Sequence, residues 1–249
     1  MGFVRKSLKK QKKLPNNYFQ FKQFRIEQDK CAMKVSTDSC IFGAIVSPEN
    51  AQHILDIGTG TALLALMLAQ KSVAQIDAVE IDESAFGQAC QNVENSIWRS
   101  KIRVFREDIR IFAQKNDFLY DLIVSNPPFF VNSTKSENSQ KNLARHTDSL
   151  SFLDLIEVVK KLLTKKGTFA IILPSPESLI FEKLAEENLL FMSEKYLILN
   201  QKGKKSHRMI SFFKKNKENC IEKELIIKDG QNYTSDFIKL LESYYLFEK

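Results

Sequence analysis

From Gln52 onward, short apolar runs alternate with stretches of helical spacing. The runs near 52–57, 75–80, 101–106 and 120–125 read as strands, and the patterns over 61–71 and 83–95 as helices between them. The fourth strand leads through a long polar segment to a helix over 149–163. A strand over Thr168–Leu173, a helix over 177–189 and two strands near 192–200 and 207–215 follow. The polar turn from Gln201 to Lys205 joins the last two strands, which predicts a hairpin. A final helix is expected over 234–245, and Phe19, Phe21 and the stretch to Ile26 alternate with polar residues as a short strand would. Strand and helix in regular succession predict an α/β fold, a largely parallel sheet with helices on both faces.

With no internal repeat and no Gly/Ser/Pro linker, the chain is expected to form a single domain over 18–249. Within it, 18–47 reads as an N-terminal extension, 48–215 as the core and 216–249 as a C-terminal extension, behind a basic, flexible tail over 1–17. The longest apolar run, Ala62 to Ala69, falls far short of the roughly 18 residues that span a bilayer, so no membrane partner is expected. The basic N-terminus has no apolar h-region, so it does not read as a secretory signal and the cytoplasm is the expected location; a monomer is the expected state. Cys31, Cys40, Cys90 and Cys220 are scattered, and His53, His146 and His207 lie far apart. That spacing predicts neither a metal site nor a disulfide framework.

Chemistry enters at Asp56-Ile-Gly58-Thr59-Gly60-Thr, between the first core strand and an apolar helix. In α/β folds this is where a nucleotide meets the carboxyl ends of the strands, and glycines let the backbone come close to it. A third glycine of the dinucleotide fingerprint would fall at 63, where the chain has Leu63. Asp56 would repel a pyrophosphate and attract the ammonium group of an amino acid, which favours S-adenosylmethionine over NAD. Glu80, at the end of the next strand, is placed to accept from ribose hydroxyls of either cofactor. After the third strand, Asp108 could accept from an adenine amine and Ile109 could pack on the ring; the plain alternative for Asp108 is a turn residue.

The strand ending at Ser125 runs into Asn126-Pro127-Pro128-Phe129. An Asn amide oxygen and a backbone carbonyl stiffened by prolines can accept both hydrogens of a planar NH2, while an aromatic ring covers its flat face. Held this way, the nitrogen lone pair points at an electrophilic methyl carbon without any charged catalytic residue. Taken alone, the tetrapeptide reads equally well as a turn after a strand. The cofactor loop upstream decides for the methyltransferase reading.

Four segments together resemble the bacterial tRNA-Val adenine N6-methyltransferases: Phe21 to Asp29, Ala32 to Asp38, Asp56 to Thr61, and Asn126 to Phe129. The similarity runs from about Phe19 to about Lys215, and the stretch from Phe21 to Asp38 narrows a wider amino-methyltransferase class to this family. The resemblance implies a Rossmann-like seven-stranded sheet closed by an antiparallel hairpin, S-adenosylmethionine as methyl donor, and N6 of the adenine at position 37 of a valine tRNA as acceptor. By matching position, Thr37 and Asp38 would flank the methionine end of the cofactor, with Asp56, Gly58, Thr59, Gly60, Glu80, Asp108 and Ile109 around the rest. Asn126, Pro127, Pro128 and Phe129 would hold the base. Phe129 stands where many relatives have Tyr, which keeps stacking and removes a hydroxyl; Ser36 and Ser39 stand where glycines would flank Thr37-Asp38.

The same tetrapeptide chemistry serves guanine N2 of ribosomal RNA or a glutamine side-chain amide of a protein. A net charge of +7 favours nucleic acid over protein. It is concentrated at Arg5, Lys6, Lys9, Lys10, Lys12 and Lys13, and again at Lys202, Lys204, Lys205, Arg208, Lys214 and Lys215. A noncatalytic RNA-binding relative is the remaining alternative, but the acids, glycines and Asn that such a protein would lose are all present.

Overall fold

The computed structural model describes residues 17–31, 33–127 and 150–247. The tail over 1–16, with Lys6, Lys9, Lys10, Lys12 and Lys13, lies outside the described residues, as do Pro128 and Phe129.

The core strands are β3 (His53–Ile57), β4 (Gln75–Glu80), β5 (Ile102–Arg106), β6 (Tyr120–Ser125), β7 (Leu163–Pro174), β8 (Phe191–Gln201) and β9 (Arg208–Lys214). They follow a short antiparallel pair, β1 (Tyr18–Gln20) and β2 (Arg25–Glu27), and precede β10 (Ile221–Asp229) and β11 (Asn232–Tyr233). The helices are α1 (Thr37–Ile45), α2 (Leu63–Gln70), α3 (Glu83–Glu94), α4 (Ile109–Lys115), α5 (Phe152–Leu162), α6 (Ser175–Glu187) and α7 (Ser235–Leu241). The main sheet has the order β11-β10-β8-β9-β7-β6-β3-β4-β5. The strands are parallel here, and the order of their addition reverses at β3, with β4 and β5 to one side and β6 and β7 to the other, the switch point at which open α/β sheets bind ligands.

The parallel strands are buried on both faces, so apolar residues run along them without a polar side. Within β3, Ile54 faces the cluster under α1, α2 and α3, while Leu55 and Ile57 face the cluster under α4, α5 and α6. β9 enters antiparallel between β7 and β8, so the expected closing hairpin is present with its second strand inside the sheet. Beyond the seven strands expected, β10 pairs parallel with the outer side of β8 and carries β11. Lys195–Glu222 and Lys223–Glu194 bridge β8 and β10 at 2.8 and 2.6 Å.

The two extensions join the core from the same face. Phe21, Phe24 and Ile26 of the β1–β2 segment, Cys40, Ile41 and Phe42 of α1, and Phe237 and Leu241 of α7 share one buried cluster with α2. Lys22 N donates to Tyr244 O at 2.8 Å, tying the two ends together. Among the described residues no helix is long and apolar enough to cross a membrane.

Candidate functional site

The carboxyl ends of β3, β4, β5 and β6 lie level, since Ile57 pairs with both Val79 and Ser125 and Glu80 pairs with Arg106. Above them is a cavity of about 460 Å³. Its floor and walls come from Gly58 to Thr61, Glu80 to Asp82, Glu107 to Arg110 and Ser125 to Pro127, with Leu150 at one side. Cys31, Met33, Lys34, Val35 and Ser39 close it from the N-terminal extension.

The glycine turn is built to keep backbone, not side chains, at the cavity. Gly58 and Gly60 have φ of 70° and 58°, and a Cβ added at either would meet no atom within 4 Å, so a side chain there would project into open space. Ala62 follows at φ 63° and starts α2 without any side-chain cap. Gly58 N and Thr59 N donate to Val79 O at 2.9 and 3.1 Å, which stitches the turn to β4.

Glu80, 9% exposed, accepts from Gly60 N at 2.8 Å through Oε2 and from the amides of Ile81 and Asp82, both at 2.9 Å, through Oε1. The ribose-acceptor role expected from sequence thus falls on a carboxylate that already shapes the glycine turn, with lone-pair capacity left on Oε2. Asp108 caps α4 by accepting from Arg110 N at 2.8 Å, and the Arg110 guanidinium grips both its oxygens. That grip holds the Asp108 carboxyl below its ordinary range. Ile109 is 6% exposed and lines the cavity, placed as an apolar wall.

Asp56 is fully buried beneath the turn; Thr59 Oγ1 donates to its Oδ2 at 2.6 Å, while Oδ1 has no hydrogen-bond partner. Burial pushes this carboxyl up to about 7, against the smaller opposing effect of the Thr59 hydrogen bond. Asp56 does not itself line the cavity; Thr59, its hydrogen-bond partner, does.

Asn126 and Pro127 line the cavity at the end of β6, and Ser125 Oγ donates to Ile57 O at 3.0 Å, locking the two strand ends together. Thr37 and Asp38 do not line it. Ser36 caps α1 by accepting from Ser39 N at 3.1 Å, and Asp38 pairs with His207 and Arg208 instead. Of the basic residues expected to meet RNA, Lys204 and Lys205 are exposed on the β8–β9 turn, whereas Arg208 is engaged by Asp38.

The wall formed by Cys31, Met33, Lys34 and Val35 falls in the stretch that carries the resemblance, but no site role was expected of these residues. It is held by side chains of α3 and by its own glutamine. Asn92 Nδ2 donates to Glu27 O and Thr61 O at 2.9 and 3.0 Å, and its Oδ1 accepts from Glu27 N at 2.9 Å. Gln88 Oε1 accepts from Lys30 N at 3.2 Å, and Gln28 Oε1 accepts from Val35 N at 2.8 Å. Cys31, pushed up to about 11 by burial and by the nearby carboxylates of Glu80, Asp82 and Asp29, is an inert wall residue. No group of three potential metal ligands occurs among the described residues.

Comparison with known proteins agrees with this geometry. The methyltransferase small domain family matches residues 31–200. A protein of Bacteroides fragilis named tRNA1(Val) (adenine(37)-N6)-methyltransferase is 43% identical over 231 residues, which cover 92% of this chain and 98% of the relative. A protein of the same name from Pseudoalteromonas translucida is 42% identical over 92% of this chain and 98% of its own length. Among solved structures, a predicted O-methyltransferase from Agrobacterium tumefaciens superposes with a TM-score of 0.65 at 16% identity, over 83% of this chain and 96% of that one. A methyltransferase from Pyrococcus furiosus does so at 0.55 and 20% identity, over 78% and 89%. At such identities the two structures speak for the fold alone, while the sequence relatives go further: this chain belongs to the methyltransferase small domain family and, within it, to the tRNA1(Val) (adenine(37)-N6)-methyltransferase family.

Proposed function

We propose that this protein methylates N6 of adenine 37 in a valine tRNA, in the cytoplasm, using S-adenosylmethionine. The observation that carries the reading is that Asn126-Pro127 and the Gly58–Gly60 turn border one cavity, in a chain 43% identical over nearly its whole length to a protein named for that reaction. When bound, S-adenosylmethionine supplies a methyl group on a positively charged sulfur.

The chain's own residues then have separable tasks. Asp56 with Thr59 offers negative charge under the turn for the amino-acid end of the cofactor, and the free capacity of Glu80 Oε2 faces its ribose. Ile109 packs on the adenine, and Asp108, fixed by Arg110, accepts from the adenine amine. Thr37 and Asp38 act from α1 beside this site, without lining it. On the acceptor side, the Asn126 amide oxygen and the Pro127 carbonyl receive the two N6 hydrogens, Pro128 stiffens the corner, and Phe129 stacks on the base. The exocyclic lone pair, normally spread into the ring, is thereby aimed at the methyl carbon. An anticodon-loop adenine costs less to extrude than a paired one, which favours such a base as acceptor. Lys204 and Lys205, with the lysines of the N-terminal tail, meet the RNA backbone.

The test is methyl transfer from labelled S-adenosylmethionine to purified tRNA, ribosomal RNA and peptide-release-factor substrates in parallel. Label in tRNA adenine is expected. Label only in protein, or only in guanine, would move the substrate elsewhere.

A further inference from the structure

Asp38 sits in the first turn of α1, one residue before Ser39 of the cavity wall, but its bonds lead away from the cavity. Its Oδ1 is 3.2 Å from His207 Nε2 and its Oδ2 is 3.1 Å from Arg208 Nε, with all three side chains 26–29% exposed. One partly shielded carboxylate thus holds two neighbours at once, His207 by a hydrogen bond and Arg208 by an ion pair. The tie spans 169 residues of sequence to reach the first residues of β9.

Those residues are the stem of the β8–β9 turn. Ser206 Oγ donates to Arg208 O at 2.7 Å, Ser175 Oγ donates to Ser206 O at 3.0 Å, and His207 N donates to Ile198 O at 3.1 Å. The tip carries Lys202, Lys204 and Lys205, all exposed, and none of the three pairs with a carboxylate among the described residues. Strand register locates this tip relative to the site. Ser125 pairs with Ile171, and Ile171 with Ser211, so Arg208 stands three residues further toward the cavity edge and two strands across. That is about 10 Å up and about 10 Å sideways from the end of β6, within the span of a few nucleotides.

We propose that Asp38 is a positioning residue for RNA: by holding His207 and Arg208, it fixes the lysine-bearing turn relative to Asn126, so that backbone phosphates are gripped while the target base lies in the cavity. The inference rests on the tRNA reading above. It assigns to Asp38 a role at the substrate edge, distinct from contact with the cofactor.

The experiment measures kcat, the KM for tRNA, and cofactor affinity by calorimetry for wild type, Asp38→Asn, Arg208→Gln and the double variant. Each single variant should raise the KM for tRNA roughly tenfold, the scale of one well-placed charged contact, with kcat and cofactor affinity within about twofold. The double variant should lose no more than Asp38→Asn alone, because that variant already releases Arg208. A Lys204→Ala/Lys205→Ala variant, altered only at exposed positions, should give the same KM-only signature with a shallower salt dependence. Additive losses, an unchanged KM in the lysine variant, or weakened cofactor binding by Asp38→Asn with the KM for tRNA unmoved would overturn the assignment. If wild type transfers no methyl to tRNA, the substrate reading itself fails, and that result is visible before any variant is made.

Discussion

At the residue scale the sharpest consequences come from Asp56. Its carboxyl is raised from an ordinary 3.8 to about 7 by burial, so the folded protein keeps a proton that the unfolded chain has already released. The stabilisation this gives is complete below the unfolded value and is lost as pH rises through about 7. Unfolding free energy should therefore decline across that window in wild type, and Asp56→Asn should flatten the decline in urea titrations run at several pH values. On the proposed reading, the cofactor's cationic amino group lies above Asp56 and favours its ionised form. Affinity for S-adenosylmethionine should thus climb with pH up to about 7 in wild type and not in Asp56→Asn, as read by calorimetry. Asn126 separates from this group cleanly: Asn126→Ala should lower turnover on the order of a hundredfold while leaving cofactor affinity nearly intact, in single-turnover assays.

Residue types were legible in sequence where spacing restricted them, and roles less so. Gly58 and Gly60 take the positive φ that a close turn demands, and Asn126 lies on the same cavity. Glu80 and Asp108, singled out as ligand acceptors, turned out to be engaged by backbone amides and by Arg110. A carboxylate after a strand satisfies local donors and a ligand alike, and sequence does not say which donors fold toward it.

At the scale of elements, parallel strands announced themselves because burial on both faces leaves continuous apolar runs. The core strands β3 to β6 fall where those runs were read. α1 was not anticipated: its apolar content is spread around the helix, and five consecutive residues, Ser39 to Gly43, are buried. β10 was missed for the opposite reason. Its first four residues are exposed, and Ile221-Glu-Lys-Glu-Leu has no clean alternation, because an outer strand bonded to β8 can carry charge on both faces. Nor could sequence foresee that α3 pins the cavity wall through Asn92. Asn92→Ala leaves Glu27 N, Glu27 O and Thr61 O without that partner, and should cost about 1–3 kcal/mol by urea denaturation, together with weaker cofactor binding.

For the whole molecule, the positive charge and the cavity have to be considered together. A net charge of +7 attracts a polyanion non-specifically, and only the geometry at the carboxyl edge of the sheet selects a base. Binding of tRNA should fall steeply with salt, while S-adenosylmethionine affinity, which involves no polyanion, should change far less over the same range; fluorescence anisotropy and calorimetry measure the two. The claim that unites fold, cavity and charge is methyl transfer to one atom of one nucleotide. The most direct test incubates the protein with S-adenosylmethionine and purified valine tRNA lacking modification, digests the product, and maps added mass by fragment and nucleoside. The account predicts a single methyl group, as N6-methyladenosine, at position 37; methylation of another base, of another atom of adenine, or of no tRNA nucleotide at all would contradict it.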